Sequence, residues 1–365
     1  MTASREGARV WSLVDRWLLP MVPASRLGAW RMLVAAVAIY DVLLYSSLVF
    51  HDAADVSAGR VGRPWTPLYY VQVLGLEPIG TPAAQALFAA TLAVLGCALV
   101  GLGSRWTCAL GALLFLWWTG LAYSFGKPHH DKVALAFALL SLPFAPVGAR
   151  LSLDAALRTM LARWWPRWRR EPVGEVSGMP IRLAQVTLAI GYCGAGSAKL
   201  LLGGVDWFNG YTLQGIMLAH DGNWSRAFAS PVWFAQLQSI GVVATQALFP
   251  LVFVWPAARW YFLPAATAFH LLTWQTMDTG PYMRVWLLLW AFVPLERVPA
   301  TLRSWCRERP LAGAAALLLL AAYGALVVAV AAPQVPLPLL LGGGGLLVWA
   351  MVRSARRSPI PAPAG

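Results

Sequence analysis

The sequence predicts an all-α protein: a polytopic integral membrane helical bundle of about ten spans (eight to ten), with both termini cytoplasmic. Three observations lead there. First, 59% of the 365 residues are hydrophobic and 12% charged, with a mean hydropathy of +0.62; a water-soluble core of ordinary shape cannot hide that much apolar surface. Second, apolar stretches long enough to cross a bilayer, or nearly so, recur along the chain. Third, arginines gather in alternate connecting segments, as the positive-inside rule requires. Twenty tryptophans fit the same class, because indole rings favour the headgroup boundary.

The elements follow in order. Residues 1 to 27 lack a long apolar core followed by a small-residue cleavage site, so they read as a cytoplasmic or interfacial amphipathic segment rather than a cleaved signal. Spans are expected at about 28 to 50, 83 to 103, 106 to 125, 132 to 148, 182 to 202, 231 to 255, 260 to 277 and 282 to 295, which places the main transmembrane domain at 28 to 297. The eighth span is short enough to be tilted, broken or re-entrant. Two further spans, at 311 to 332 and 336 to 352, make up a region from 298 to 352, and 353 to 365 read as a disordered tail.

With the amino terminus inside, the inner segments hold most of the arginines, including Arg150, Arg158, Arg163, Arg167, Arg169 and Arg170 in one loop. The outer loops hold Arg60, Arg63, Lys127, Arg226 and Arg284. The net charge of +13 is therefore a topology signal, and no nucleic-acid partner is expected. The basic, aromatic loop from 150 to 172 reads as an interfacial anchor, with anionic lipid or a cytoplasmic partner as the functional alternative. One consequence is that His51, Asp52, His129, His130, Asp131, Lys199, Asp206, His220, Asp221 and Asp278 fall at or near the outer face. Cys97, Cys108, Cys193 and Cys306 show no paired or metal-type spacing, so neither a disulfide framework nor a metal site is expected.

The fifth span carries the sharpest signal. Helical steps back from Lys199 reach Gly196, Tyr192, Gln185 and Arg182, so polar groups recur along one face with small residues between them. Lipid would not tolerate that stripe, so the face points into the bundle. Gly191, Gly194, Gly196 and Ser197 would let a neighbouring helix, or a flat ligand, approach the backbone closely. Lys199 alone has two readings: its stem can snorkel to the headgroups, or its amine can be enclosed, where a neutral amine serves as a general base. The stripe favours the second.

Elsewhere, His129 and His130 are adjacent where the fourth span begins, so at most one faces the bundle. His270 lies mid-span, where a lone buried histidine is more often a satisfied core group than a catalyst. Gln275 and the Gly280-Pro281 break that follows suggest irregular helix lining a cavity. Arg31 and Asp41, ten residues apart on nearly one face of the first span, are too distant to touch, and each needs a partner on another helix. Structural pairing is the expected use of both.

These residues carry a resemblance. The Arg31 to Asp41 spacing in "RMLVAAVAIYD", "GLGSR" before the third span, "HHDKVALAFALL", "LSLD" at 151 to 154, Tyr192 to Lys199 as "Y..AG..K", Asp206 to Tyr211 as "DW..GY", and His270, Gln275 and Gly280 follow one another in order. As an ordered set running from about 31 to 295, they resemble the horizontally transferred transmembrane domain family, whose best-known members are the vitamin K-dependent gamma-carboxylases. The resemblance implies that Lys199 is the base that deprotonates a vitamin K-type quinol such as menaquinol, whose oxygenation gives a stronger base that removes a glutamate proton before carbon dioxide adds. It implies that His130 and His270 line that site and steady developing oxyanions. Tyr192, Gly196, Trp207 and Gln275 would then contact the quinol.

The chain departs from the carboxylases in two ways. After the eighth span it returns to the membrane with "LAGAAALLLLAAYGALVVAVA" where they carry a lumenal domain, and His129 stands where the family usually has asparagine. The expected function is accordingly a quinol-linked enzyme of the outer face of the bacterial inner membrane that modifies a secreted peptide or protein, and a carboxylase or epoxidase if catalytic. The competing classes are a non-catalytic membrane scaffold and a transporter subunit with a polar cavity. A transporter should show inverted repeats, and no convincing one is present.

Overall fold

A computed structural model describes residues 15–60, 62–126, 132–162, 164–165, 174–220, 222, 224–277 and 287–297. The described chain is mostly helical. Four of its helices are long and apolar enough to cross a membrane, and the protein is a helical membrane protein. Residues 311–332 and 336–352, read from sequence as the last two spans, lie outside the described residues, as does His130. The chain divides into two compact units whose boundary falls between Thr187 and Leu188.

In the first unit, strand β1 (Met21–Pro23) leads into helix α1 (Ala24–Leu44), and α2 (Ser46–Ser57) follows directly. The sequence reads 28 to 50 as one span, but the structure interrupts it at Tyr45. There the Ser46 hydroxyl donates to the Leu43 carbonyl at 2.7 Å, a back-bond of the kind that bends helices. The short α3 (Tyr69–Val73) precedes α4 (Thr81–Val100) and α5 (Ser104–Ser124), both close to their expected bounds. Helix α6 (Lys132–Ser141) stops well short of 148 and runs into a 3-10 turn at Leu142–Phe144, where Pro143 cannot extend it. Phe50, Phe88 and Trp118 form an aromatic cluster among α2, α4 and α5.

Helix α7 (Leu153–Leu161) lies within the basic loop, with the Ser152 hydroxyl accepting from the Ala155 amide at 3.0 Å as its N-cap. Strand β2 (Glu175–Ser177) pairs antiparallel with β1, Val22 opposite Val176, a feature the all-α reading did not contain. Three residues per strand leave too few positions for a period to register.

Helix α8 (Met179–Ala198) crosses the unit boundary and continues through a π-helical turn at Lys199–Gly203 and a 3-10 turn at Gly204–Trp207. The second unit goes on with α9 (Tyr211–His220), α10 (Ser225–Ala229), α11 (Val232–Leu248), α12 (Leu251–Val254) and α13 (Arg259–Met277), which contains Pro264. Leu213, Met217, Ala229 and Ala235 form a buried apolar cluster joined by Phe228 and Met277.

Candidate functional site

Two polar arrangements fix the first unit. Arg31 is fully buried, and its guanidinium donates to the carbonyls of Val147 (3.1 Å), Leu99 (3.3 Å) and Leu151 (2.5 Å). Its partners are thus main-chain oxygens, including one in the last turn of α4, rather than a carboxylate. "GLGSR" makes this possible. Gly101 and Gly103 adopt left-handed φ of 74° and 57°, and a Cβ on Gly101 would strike the Arg31 guanidinium. The "LSLD" carboxylate, Asp154, accepts from the Gly103 amide (2.8 Å), the Ser104 amide (2.8 Å) and the Ser104 hydroxyl (2.6 Å), capping α5. Burial opposes ionisation of Asp154, yet the Ser104 and Gly103 hydrogen bonds and the Arg158 charge outweigh it and hold this carboxyl below its usual value. Arg31, "GLGSR" and "LSLD", dispersed in sequence, are one structural knot.

Asp41 forms a buried ion pair with Lys132 of α6, whose ammonium also lies 4.3 Å from the centre of the Tyr45 ring. On the first half of α8, Arg182 donates to Gln185 at 3.0 Å, and its guanidinium lies 4.9 Å from the Trp17 ring centre. Gln185 is buried.

The second unit gathers most of the remaining candidates. Down α8, Leu188, Ala189, Tyr192 and Gly196 are buried, whereas Ile190, Gly191 and Gly194 on the other side are exposed. The Tyr192 hydroxyl lies 2.6 Å from His270 Nε2, and its ring stacks on Phe249 with centroids 4.4 Å apart. Phe249 also meets Phe262 and Phe292 edge-on, so the stack sits in an aromatic core. Of the two uses the sequence leaves open for Gly196, the structure shows the helix: a Cβ there would strike the Ala247 backbone amide. Gly191 and Gly194 face open space.

Lys199 opens the π-helical turn and is half-buried. Its amine donates to Gln246 Oε1 at 3.0 Å and to the Ala195 carbonyl at 3.4 Å, and lies 5.1 Å from the Trp207 ring centre. Among the described residues it makes no ion pair. Trp207 is set by two contacts. Its indole covers Gly203, where a Cβ would collide with it, and its carbonyl accepts from the Ser239 hydroxyl. Gln275 is buried on α13, and its carbonyl accepts from the Trp224 amide at 3.0 Å.

The structure therefore brings Lys199 together with Trp207, and Tyr192 together with His270, but keeps the two pairs apart. Seven residues of helix separate Lys199 from Tyr192, about 10 Å along the axis. Sequence reasoning missed Gln246 and Phe249. The signal for Gln246 was a lone amide within the apolar run from 240 to 254.

Fold and site together define a helical membrane protein in which Lys199 and Trp207, at the irregular end of a helix long and apolar enough to cross a membrane, meet Gln246 of α11. No protein-family model, curated protein or solved structure matches the chain.

Proposed function

We propose that the protein is a membrane enzyme of the vitamin K-dependent gamma-carboxylase-like, horizontally transferred transmembrane domain family. It spans the bacterial inner membrane about ten times (eight to ten) with both termini in the cytoplasm, and acts at the outer face with a lipid-soluble quinol to modify a secreted peptide or protein. The observation that supports this most is the setting of Lys199. Its side-chain partners are a neutral amide oxygen and an indole face, so the site can hold the amine with or without its extra proton, as a base requires.

A flat hydroxy-aromatic ring would have to approach the half-buried amine from the side of Trp207, because Gly196 and Tyr192 are already covered by Ala247 and Phe249. A quinol bound there would supply a phenolic proton; Lys199 would receive it, with Gln246 orienting the amine through the 3.0 Å bond and the Trp207 ring limiting water beside it. His130 enters through the resemblance.

A second reading, a scaffold or transporter subunit, draws on one observation. His270 is engaged by Tyr192 two turns from Lys199, which suits a packing role. Two measurements separate the readings. In cells with a phenotype on loss of the protein, Lys199→Met and Lys199→Arg should abolish function while the protein still accumulates; retained function would favour the scaffold. After mild detergent extraction, mass spectrometry should find a menaquinol-type molecule with the wild-type protein, and its absence would count against the quinol.

A further inference from the structure

We infer that the cavity between α7 and the start of α1 binds the phosphate headgroup of an anionic phospholipid. This cavity, about 560 Å³, is lined by Ser25 of α1, by Ser152, Ala156 and Thr159 on one face of α7, and by Arg150 and Gly174. Its depth relative to the spans is fixed by hydrogen bonds. The Asp154 amide donates to the Gly101 carbonyl at 3.0 Å, just past the end of α4 and just before α5 begins. Helix α7 thus lies level with the ends of two membrane-crossing helices, where headgroups are found.

The charges single out one cation. Arg158 is turned back onto the Asp154 and Gly148 carbonyls, at 2.9 and 2.6 Å, and the Asp154 carboxylate is committed to Gly103 and Ser104. Arg150 is exposed and has no carboxylate partner among the described residues. Ser152 and Thr159 donate their hydroxyl protons to the Gly148 and Ala155 carbonyls, so the donors facing this roomy cavity are the Arg150 guanidinium and the Ser25 hydroxyl, a pairing that matches a phosphodiester.

Another face of α7 supplies the place for the acyl chains. Leu153, Leu157 and Met160 of α7 follow one another by four and three residues and are exposed, as is Trp164 beyond its end. That spacing makes one apolar stripe turned about 100° round the helix from the cavity-lining residues, the arrangement of an amphipathic helix lying in the interface.

The test uses the full-length protein in mixed micelles of phosphatidylglycerol and phosphatidylethanolamine, with retained lipid counted by native mass spectrometry. The wild type should retain phosphatidylglycerol preferentially. Arg150→Gln should lower that preference about tenfold, the weight of a hydrogen bond from a charged group. Ala156→Trp, which fills the cavity at an exposed position without altering charge, should lower it comparably. Arg105→Gln, which removes an exposed arginine outside the cavity, should lower it clearly less, by no more than the general attraction of one surface charge. An unchanged preference in Ala156→Trp, or an equal loss in Arg105→Gln, would overturn the site in favour of diffuse attraction. Displacement of the lipid by millimolar inorganic phosphate would overturn the assignment to a lipid.

Discussion

The Tyr192 hydroxyl lies 2.6 Å from His270 Nε2, and this bond joins α8 to α13 inside an aromatic core built around Phe249. Both side chains are buried, where a polar atom that loses a hydrogen bond is not readily compensated by water. Tyr192→Phe keeps the ring on Phe249 and removes the hydroxyl. It should lower stability by about 1 kcal/mol, as interhelical hydrogen bonds in membranes do. His270→Leu should do the same, and the double variant should lose less than the sum of the two. Thermal unfolding in detergent measures all three; additive losses would show that the two groups do not interact.

Gly196 and Gly194 make a matched pair on one helix. A Cβ at 196 meets the Ala247 backbone, which cannot swing aside as a side chain can, whereas a Cβ at 194 meets nothing within 4 Å. Gly196→Ala should therefore destabilise by roughly 1–3 kcal/mol through overpacking. Gly194→Ala should be neutral or slightly stabilising, because alanine is the better helix former by about 1 kcal/mol. Yield of folded protein after detergent extraction and melting temperature would report the contrast.

Asp154 gives a pH dependence with a definite sign. Its carboxyl is held below the usual value in the folded protein, so the folded state favours the ionised form. The stabilisation is fully present above the unfolded carboxyl value of about 3.9 and is lost as pH falls through the lower folded value. Asp154→Asn should thus melt below the wild type at neutral pH, by the order of 1 kcal/mol expected for a weakened helix cap. The gap should close on acidification below about pH 4. A gap constant down to pH 3 would mean that Asp154 acts through its shape and not its charge.

The α8 stripe was legible because polar residues at helical spacing in an apolar run leave a pattern that composition alone cannot produce. Lys199, Tyr192 and Gln185 stand on it, and the helix bounds fell within a few residues of the sequence reading. Gln246 was not legible, since one amide in an apolar span has no period, and its importance lies in what α11 places it against. The partners of Arg31 were hidden for another reason: carbonyl oxygens belong to every residue and carry no residue-type signal. The interruption at Tyr45 was equally silent, because "LLYSS" contains neither glycine nor proline, and what accompanies it is a serine bond back to the Leu43 carbonyl. Lys132 was passed over as Asp41's partner because it directly follows the histidine-rich loop, where a lysine reads as part of the connection.

That pair sets up the most severe test of the first unit. Asp41 and Lys132 are both buried, at 2% and 5% exposure, so their mutual attraction, with the Tyr45 ring beside the ammonium, offsets part of each ion's desolvation. Asp41→Asn removes the carboxylate that faces the Lys132 ammonium, and Lys132→Met removes the ammonium that faces the Asp41 carboxylate. Each should destabilise by roughly 3–5 kcal/mol, enough to abolish accumulation of folded protein. Asp41→Leu combined with Lys132→Met removes both charges and replaces them with apolar side chains, so it should recover most of the loss. Fluorescence-detected size exclusion of detergent extracts would rank the variants. If the double variant were as poorly folded as either single one, the pair would be required for its hydrogen-bond geometry and not for charge balance.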